Sequence, residues 1–553
     1  MKNSLCFIIL MLTMSGCRHG VEISGQGSVS AETPDRSCTA AESPCRFDIN
    51  GAYQETYTAT PANGWLFDAW ERCQSASGNA CAFDIDAETV EEFADAEIPG
   101  VVARFRRPID PLFRDNVGGF VLPAGNAPQH LSWLLDELRD SSTSETEIRE
   151  HFDSTYIESR SIAAIQQDIN TLRTSVSDPE ITDLIGVTPV LASAVVNPRG
   201  TNNPGFNIFL ISRYGDGGGI TSMSFTTGWP RGGSNVIPEV ANRNFMQLGE
   251  AFAGAAADTR MLVAQIESDQ CRAIYTKEAR TAIPIASVYK YWVLATLTEE
   301  IVAGRISESA MVGLDPQLFE QSNAFINDQP AGTQLPIADL ASLMMGNSDN
   351  TATDHLQVLL GRALLEARLR PLGHRNEELM TPFLLNRDVA QLFGVLNTEL
   401  ANSFARGSEE EQLAIYENSI EPLGSPVFTG VRNFDALYEG SWAATAFDVC
   451  GVIASLRRFD NQSAAFALMD QAAGANTALL SVRTRWDRVW FKSGGIGNDE
   501  GGSMTTSGAW LFESDDKGAY VVVLAAGNPD QSSVNQSLLF GVAARAEELL
   551  FNR

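Results

Sequence analysis

The first residues that could do chemistry are a serine and a lysine three positions apart. Ser287 and Lys290 form the pattern S-x-x-K immediately before a long apolar run over 291–306. If Ser287 lies in the first turn of the helix that this run predicts, Lys290 is one turn away on the same face. A neutral lysine, its pKa lowered by burial, could then take the proton of the serine hydroxyl. The helix N-terminus would favour the oxyanion formed during attack on a carbonyl group.

This spacing alone is not specific, because so short a pattern arises by chance in a chain of 553 residues. Ser514 and Lys517 repeat it in a polar stretch between two strand-like runs, where we expect a solvated hairpin tip. Two further motifs give the first pattern its weight. Ser348-Asp349-Asn350 follows it in the chain, and Lys492-Ser493-Gly494 comes later, before a pair of predicted strands.

In this order, the three motifs resemble the S-x-x-K, S-D-N and K-[ST]-G elements of class A β-lactamases and penicillin-binding proteins. The resemblance implies that Ser287 is the acylated nucleophile, Lys290 its base or proton relay, and Ser348 the proton donor to the leaving group. It also implies a substrate-binding set, in which Asn350 holds an amide, Lys492, Ser493 and Gly494 bind a carboxylate, and Gly495 completes an oxyanion hole with the Ser287 N–H. Taken alone, Asp349 is also explained as a helix cap, and Lys492 is also explained as a charged residue at the edge of a strand.

One element of the class A pattern is missing. These β-lactamases carry a glutamate in an E-x-x-L-N loop that positions the deacylating water, whereas the comparable string here, 382–386, has Pro382 in that place. The string opens an amphipathic pattern, so core packing is its better explanation. By order in the chain, Glu439 is the substitute, with Glu377 and Glu378 as weaker candidates.

The spacing of the motifs also departs from the family. The interval between Ser348 and Lys492 is longer than in compact β-lactamases. We therefore expect an insertion over about 370–435 that reshapes the rim of the pocket.

The motifs need elements that position them. Strand-like runs over 261–266 and 271–277 flank a polar turn, and 446–456 has helical periodicity. For residues 241–553 the resemblance implies an α/β domain of the β-lactamase/transpeptidase-like type, in which helices flank an antiparallel sheet.

Residues 109–240 predict a smaller α+β domain, cystatin/NTF2-like, in which helices precede strands. Apolar residues over 131–138 have helical spacing, and Ser144-x-x-Glu147 is a capping box that opens a helix over 148–156. Strands at 206–213 and 222–227 flank the glycine-rich loop 215–219, which we expect to be a hairpin turn. An α+β domain ahead of a β-lactamase-like domain without E-x-x-L-N resembles the two-domain serine hydrolases of clavulanic-acid gene clusters and actinobacterial lipoproteins.

Residues 18–108 predict an all-β module. Short alternating runs are separated by Gly, Pro and Asn, and the order G-x-G-x-V (25–29), T-A-T-P-A (58–62) and G-W-L-F (64–67) resembles bacterial surface β-repeats of the internalin B-repeat type. Four cysteines in this block lie seven and eight residues apart, spacings that suit local disulfides in an oxidising compartment. We therefore predict the pairs Cys38–Cys45 and Cys73–Cys81. For Cys271 and Cys450 the simpler interpretation is two buried free thiols, and a bridge is the alternative.

The first 17 residues predict export. A positive Lys2 precedes a short apolar stretch, and Met14-Ser15-Gly16-Cys17 resembles a lipoprotein lipobox with Cys17 as the lipidated residue. A plain cleaved signal with a chance cysteine is the alternative. Arg18 resembles the sorting signal of outer-membrane lipoproteins. We therefore expect a lipid-anchored protein in the periplasm or at the cell surface, attached to the membrane by its lipid.

Composition excludes several other classes. With 39 Lys and Arg against 69 Asp and Glu, the net charge of −30 opposes binding of nucleic acid. The five histidines show no zinc-ligand spacing, and G-x-S-x-G is absent from the sequence, so we expect neither a metal, nor a cofactor, nor an ordinary α/β-hydrolase.

The leading hypothesis is a serine hydrolase that forms an acyl-enzyme on a β-lactam or a related amide or ester. The alternatives are a penicillin-binding-protein-like peptidase acting on peptidoglycan, an esterase, and a non-catalytic surface lipoprotein that contacts the cell wall.

Overall fold

The computed structural model describes residues 17–49, 51–93 and 97–553. The predicted signal segment, up to residue 16, and the Cys17 side chain that would carry the lipid lie outside the described part. The chain divides into two compact units, which meet in sequence between Pro108 and Ile109. Within the described residues, no helix is long and apolar enough to cross a membrane.

The first unit is built from two β-sheets. Its elements are β1 (Cys17–Ser24), β2 (Gly27–Ala31), β3 (Cys38–Thr39), β4 (Cys45–Ile49), β5 (Tyr53–Pro61), β6 (Leu66–Glu71), β7 (Ser75–Ser77), β8 (Ala80–Ile85), α1 (Ala87–Glu92) and β9 (Glu97–Arg106). One sheet has the order β4-β1-β9-β6 and the other β3-β2-β5-β8-β7. Alternate residues of β5, such as Tyr57 and Ala59, are buried, as expected for strands with one face in a core. The predicted β-rich N-terminal part is confirmed, and its likeness to surface repeats stays a prediction.

The disulfides confirm one part of the sequence interpretation and correct another. Cys38 is bonded to Cys45 and Cys73 to Cys81, as predicted. The expectation of free thiols for the last pair is wrong, because Cys271 and Cys450 form a third disulfide across a sequence separation of 179 residues. Sequence spacing could not show this pair, since the fold alone brings the two positions together.

The second unit begins with helices followed by strands, as predicted for residues 109–240. Its first elements are α2 (Asn126–Glu137), α3 (Glu145–His151), α4 (Ser154–Arg160), α5 (Ile162–Ser175), β10 (Pro179–Thr188), β11 (Leu191–Pro198), β12 (Gly205–Ser212) and β13 (Ile220–Trp229). The Ser144 capping box is present. The single helix expected over 148–156 is wrong, because Asp153 accepts a hydrogen bond from the Thr155 N–H and so caps a separate helix, α4.

The strands β10 to β13 form one antiparallel sheet in sequential order, and residues 215–219 lie in the turn between β12 and β13, as predicted. Helix α2 packs on this sheet over an apolar core that includes Leu131 and Leu210. This core is separate from those of the following residues, although the whole of 109–553 forms one compact unit. The specific cystatin/NTF2-like likeness and the boundary near residue 240 stay predictions.

The rest of the second unit surrounds a larger sheet. Its strands are β14 (Asp258–Glu267), β15 (Gln270–Lys277), β16 (Ile283–Pro284), β17 (Met311–Gly313), β18 (Gln334–Pro336), β19 (Ala443–Ala444), β20 (Arg488–Gly497), β21 (Ser503–Ser514) and β22 (Gly518–Gly527). Five of them form an antiparallel sheet in the order β15-β14-β22-β21-β20. Side chains on opposite faces enter two different cores: Trp490 lies in one and Phe491 in the other.

Helices cover both faces of this sheet, which confirms the expected architecture of the C-terminal part. They are α6 (Phe245–Phe252), α7 (Lys290–Val302), α8 (Ile337–Ser342), α9 (Asn350–Leu360), α10 (Arg362–Leu369), α11 (Asn386–Gly394), α12 (Thr398–Arg406), α13 (Glu409–Ile415), α14 (Phe434–Gly440), α15 (Ala446–Leu456), α16 (Ala464–Ala473), α17 (Val482–Arg485) and α18 (Gln536–Phe551). Helix α7 is buried along nearly its whole length. A helix that is apolar on every side belongs at the centre of a domain, which is where α7 holds its first residue, Lys290.

Candidate active site

Ser287 lies on a tight turn that several elements hold in place. The turn is a short 3-10 helix, Ala286–Tyr289, between β16 and α7. Ala286 has a φ of +44°, a left-handed conformation that a non-glycine residue adopts only when its surroundings impose it. Here Ser507 Oγ on β21 donates to the Ile285 carbonyl at 2.6 Å, and the Ile285 N–H donates to the Trp442 carbonyl at 3.0 Å.

Strand β20 runs directly against this turn. A Cβ atom on Gly494 would lie 2.4 Å from the Ile285 carbonyl oxygen and 2.6 Å from the Ser287 nitrogen, distances that real Cβ atoms do not show. Glycine is therefore required at position 494 by the close approach of two backbones. This approach places the K-S-G motif and Gly495 beside Ser287.

Lys290, the first residue of α7, is fully buried. Its Nζ donates to the Ser348 carbonyl and to Asn350 Oδ1, both at 2.8 Å, and lies 3.3 Å from Ser348 Oγ. Burial lowers the pKa of Lys290 to about 7, against the opposing effect of the Asp349, Asp354 and Glu320 carboxylates. A neutral amine is therefore available near pH 7.

Ser348 joins two lysines. It has a φ of +59° at the start of the segment that leads into α9, and its Oγ accepts a hydrogen bond from Lys492 Nζ at 2.9 Å. Lys492 also donates to the Ser493 carbonyl at 2.6 Å. Its burial, and then the charge of Lys290, lower the pKa of Lys492 well below its usual range. One hydroxyl thus bridges two amines that can exchange a proton through it.

The last two residues of the S-D-N motif hold the loop that faces the site. Asp349 caps α9, because its Oδ1 accepts from the Ala352 N–H at 2.7 Å, and its Oδ2 accepts from the Phe325 N–H at 2.6 Å. Asn350 donates from Nδ2 to the Ser322 carbonyl at 3.2 Å and to Glu320 Oε2 at 3.1 Å. The loop over 320–325 is therefore fixed to the same motif that contacts Lys290.

A cavity of about 590 Å³ opens beside Ser287. Its polar lining includes Asn350, Glu320, Asn386 and Gly495. Its apolar lining comes from the predicted insertion, from α14 and from the end of β20, and includes Val389, Ala390, Phe393, Phe428, Phe434, Leu437 and Ile496. The lining of the cavity thus combines Ser287 with further polar groups and with apolar side chains.

The structure does not bring the expected deacylation residue to this cavity. Glu439 is 43% exposed and pairs with Arg406 at 2.6 Å, on the rim of a different cavity that Glu378 also lines. Glu377 pairs with Arg370 at 2.6 Å. In the described part of the chain, none of the three carboxylates lines the cavity that holds Ser287.

The P-F-L-L-N string, by contrast, reaches the site. We expected core packing for it, and Leu384 and Leu385 are indeed buried. Its last residue, Asn386, lines the cavity and donates from Nδ2 to Tyr289 Oη at 2.9 Å and to Asp354 Oδ1 at 2.7 Å. Core packing is thus only part of its role, because the asparagine ties α11 to the turn that carries Ser287.

Sequence reasoning missed one buried carboxylate. Glu320 is only 2% exposed and lines the cavity together with Ser287 and Asn350. It lies in a loop without a recognisable motif, so only the contact with Asn350 reveals it. Among the residues that the structure describes, no three His, Cys, Asp or Glu side chains form a cluster that could hold a metal ion.

Residues 246–411 match the model of the beta-lactamase enzyme family. The matched range includes the S-x-x-K and S-D-N motifs and ends before Lys492. The C-terminal part of the chain therefore contains a β-lactamase-family domain. No curated protein matches the sequence.

Solved structures show a remote likeness to the chain. A β-lactamase from Chitinophaga pinensis is 15% identical, with 56% of this chain and 97% of that chain covered and a TM-score of 0.38. A β-lactamase from Sphaerobacter thermophilus is 14% identical, with 56% and 97% covered and a TM-score of 0.38. An acyl-enzyme complex of a PBP-A variant with penicillin G is 14% identical, with 56% and 98% covered and a TM-score of 0.37.

Proposed function

We propose that residues 241–553 act as a serine hydrolase that forms an acyl-enzyme through Ser287 on a β-lactam or a related amide or ester. The observation that carries this proposal is the buried Lys290, whose Nζ contacts both Ser348 and Asn350 and whose pKa burial lowers to about 7. A lysine that is neutral near pH 7, one turn from a serine on a constrained turn, suits the activation of a hydroxyl nucleophile.

The acylation step follows from these contacts. Neutral Lys290 takes the proton of Ser287, and the serine oxygen attacks the substrate carbonyl carbon. The N–H groups of Ser287 and Gly495 stabilise the oxyanion, since backbone donors cost little reorganisation. When the C–N or C–O bond breaks, Ser348 donates a proton to the leaving group and recovers one from the lysines that contact it.

Two features of the site suit a substrate with an anionic group and an apolar acyl part. Lys492 is buried without a carboxylate partner among the described residues, so a substrate carboxylate beside it would favour its charged form. Phe393, Phe434 and Leu437 line the cavity, where an apolar acyl group loses its contact with water.

Labelling with a fluorescent penicillin tests the nucleophile. We expect the wild-type protein to acquire a covalent adduct and Ser287→Ala to acquire none. Ser514→Ala is the matched control, because Ser514 belongs to the other S-x-x-K pattern, and it should label normally. Covalent labelling of Ser287→Ala would overturn the assignment of Ser287 as the nucleophile. The lifetime of the adduct separates a hydrolase, which releases it, from a penicillin-binding-protein-like peptidase, which retains it.

The location of the protein is a separate proposal. The lipobox-like sequence that ends at Cys17 supports a lipid anchor in the periplasm or at the cell surface, with the β-module and the α+β segment serving as spacers or binding surfaces. Metabolic labelling with a radioactive fatty acid should mark the wild-type protein and not Cys17→Ala. Equal labelling of the two would contradict lipidation at this residue.

A further inference from the structure

Glu320 has a fixed position in the lining of the cavity. Its main chain is held on both sides: the N–H donates to Thr351 Oγ1 at 3.1 Å, and the carbonyl accepts from Asn327 Nδ2 at 2.6 Å. Its side chain lines the same cavity as Ser287. The carboxylate is therefore buried at a defined point in the lining that it shares with Ser287.

The two oxygens of this carboxylate differ in their surroundings. Oε2 accepts three hydrogen bonds, from the Ser322 N–H at 2.8 Å, from Ser322 Oγ at 2.7 Å and from Asn350 Nδ2 at 3.1 Å. Oε1 has no hydrogen-bond partner among the described residues. It is also not one of their polar atoms that are both unpartnered and buried away from solvent, so water can reach it. One oxygen thus anchors the carboxylate, and the other is free to accept a proton from a water molecule in the cavity.

The neighbouring carboxylates are less suited to this role. Both oxygens of Asp349 accept backbone hydrogen bonds, and both oxygens of Asp354 accept backbone hydrogen bonds from the start of α11. Asp499, which also lines the cavity, is exposed in the turn after β20. In the described part of the chain, Glu320 is the buried carboxylate that lines this cavity with an oxygen to spare.

Glu320 is also connected to the base of the acylation step. Asn350 accepts from Lys290 through Oδ1 and donates to Glu320 through Nδ2, so one amide links the two groups. An amide held from both ends fixes the lysine and the carboxylate relative to each other.

We infer that Glu320 is the general base that activates water for deacylation, in the place of the glutamate that the sequence lacks at Pro382. A water molecule loses a proton to Glu320 Oε1 as its oxygen attacks the acyl carbon. The tetrahedral intermediate then expels Ser287 Oγ, which takes up the proton that Glu320 removed from the water, so that Glu320 is again a carboxylate. The products are a free carboxylic acid and the regenerated serine. This inference rests on the proposed function.

The test separates acylation from deacylation in the full-length protein. Glu320→Gln keeps an oxygen that can accept from Ser322 and Asn350, but it cannot take a proton from water. We expect acylation by a fluorescent penicillin at close to the wild-type rate, with release of the adduct slowed about 10²–10⁴-fold, the usual range for loss of a general base. Glu320→Asp, which keeps the carboxylate, should restore part of the release rate.

Glu300→Gln and Glu320→Asp are the two controls for a merely structural effect. Glu300→Gln removes another buried carboxylate, one that pairs with Arg305 outside the cavity, and should leave both rates unchanged. If Glu320→Gln slows acylation and release together and Glu320→Asp does not restore them, the residue is structural and the inference is wrong.

The remaining outcomes distinguish the two proposals. Wild-type release in Glu320→Gln, or slow release in Glu439→Gln instead, overturns the role of Glu320 and leaves the acyl-enzyme intact. A wild-type adduct that never decays has the same consequence. A wild-type protein without any adduct overturns the proposed function itself.

Discussion

Lys290 and Lys492 both contact the hydroxyl of Ser348, at 3.3 and 2.9 Å. Both are buried, and two positive charges so close together in a medium of low polarity repel each other strongly. The pair therefore holds fewer protons than two exposed lysines would at neutral pH. Ser348 lies where a proton can pass between the two amines.

We predict that the rate of Ser287 acylation rises with pH through about 7. The pKa of Lys290 is lowered to about 7 by burial, and only the neutral amine accepts the serine proton. The rate should reach a plateau above pH 8 and fall roughly tenfold per pH unit in acid. Stopped-flow labelling between pH 5.5 and 9 measures this profile, which Lys517→Met should leave unchanged. A rate independent of pH between 6 and 8 would contradict the role of Lys290.

At the scale of secondary-structure elements, α11 and α14 shape the apolar wall of the cavity. Phe393 on α11 and Phe434 on α14 pack with ring centroids 5.0 Å apart, and both line the cavity. Both helices fall in or next to residues 370–435, where we expect an insertion relative to compact β-lactamases. This part of the chain therefore contributes directly to the lining of the cavity.

We predict that Phe393→Ala alters selectivity for the acyl group. Removal of the ring opens the apolar wall, so kcat/KM for p-nitrophenyl phenylacetate should fall about tenfold or more, as expected when apolar pocket contacts are lost. The value for p-nitrophenyl acetate should change little, because its acyl group is too small to reach the wall. Val427→Ala, at a side chain exposed outside the cavity lining, is the control. An equal loss with both esters would argue against an acyl-binding wall.

The Cys271–Cys450 disulfide joins β15 to α15 and closes a long loop. A cross-link of this kind restricts the unfolded chain, so the double variant Cys271→Ser/Cys450→Ser should lose about 2–5 kcal/mol of unfolding free energy. Urea unfolding followed by the loss of penicillin labelling measures this change. Cys38→Ser/Cys45→Ser, which opens a short loop in the first unit, should leave the midpoint in place. An unchanged midpoint in the first variant would show that the bridge adds no stability.

At the scale of the whole molecule, β10 is hydrogen-bonded to the segment over 475–483. The Val187 N–H donates to the Ala475 carbonyl at 2.7 Å, and the Thr477 N–H donates to the Ile185 carbonyl at 2.9 Å. The Ser481 N–H donates to the buried Asp183 at 2.5 Å. These bonds satisfy backbone groups on both sides, which explains why residues 109–553 form a single compact unit.

We predict that residues 241–553 do not fold stably alone, whereas 109–553 does. The shorter chain would lose the β10 partners of the 475–483 segment. Each donor or acceptor of that segment that stays shielded from water would then be unpaired, which costs about 1–3 kcal/mol. Expression of both fragments, with cooperative unfolding and penicillin labelling as readouts, tests this. Equal unfolding and labelling of the two fragments would show that the α+β segment is an independent domain.

The sequence by itself determined much of the site, because the identities and order of Ser287, Lys290, Ser348 and Lys492 carry the resemblance to a known hydrolase pattern. It also predicted elements whose signals are local, such as the Ser144 capping box, the β12–β13 hairpin and the two short-range disulfides. Local signals work because neighbouring residues supply both the periodicity and the cap.

The tertiary structure decided what depends on contacts between distant segments. It paired Cys271 with Cys450, placed Glu439 beside Arg406 on another cavity, and brought Glu320 to Asn350. No spacing rule predicts these contacts, since each requires the fold to close long loops before the partners meet. The nucleophile that we propose could thus be chosen from its motif, whereas the carboxylate that we propose for deacylation became visible only through its neighbours in space.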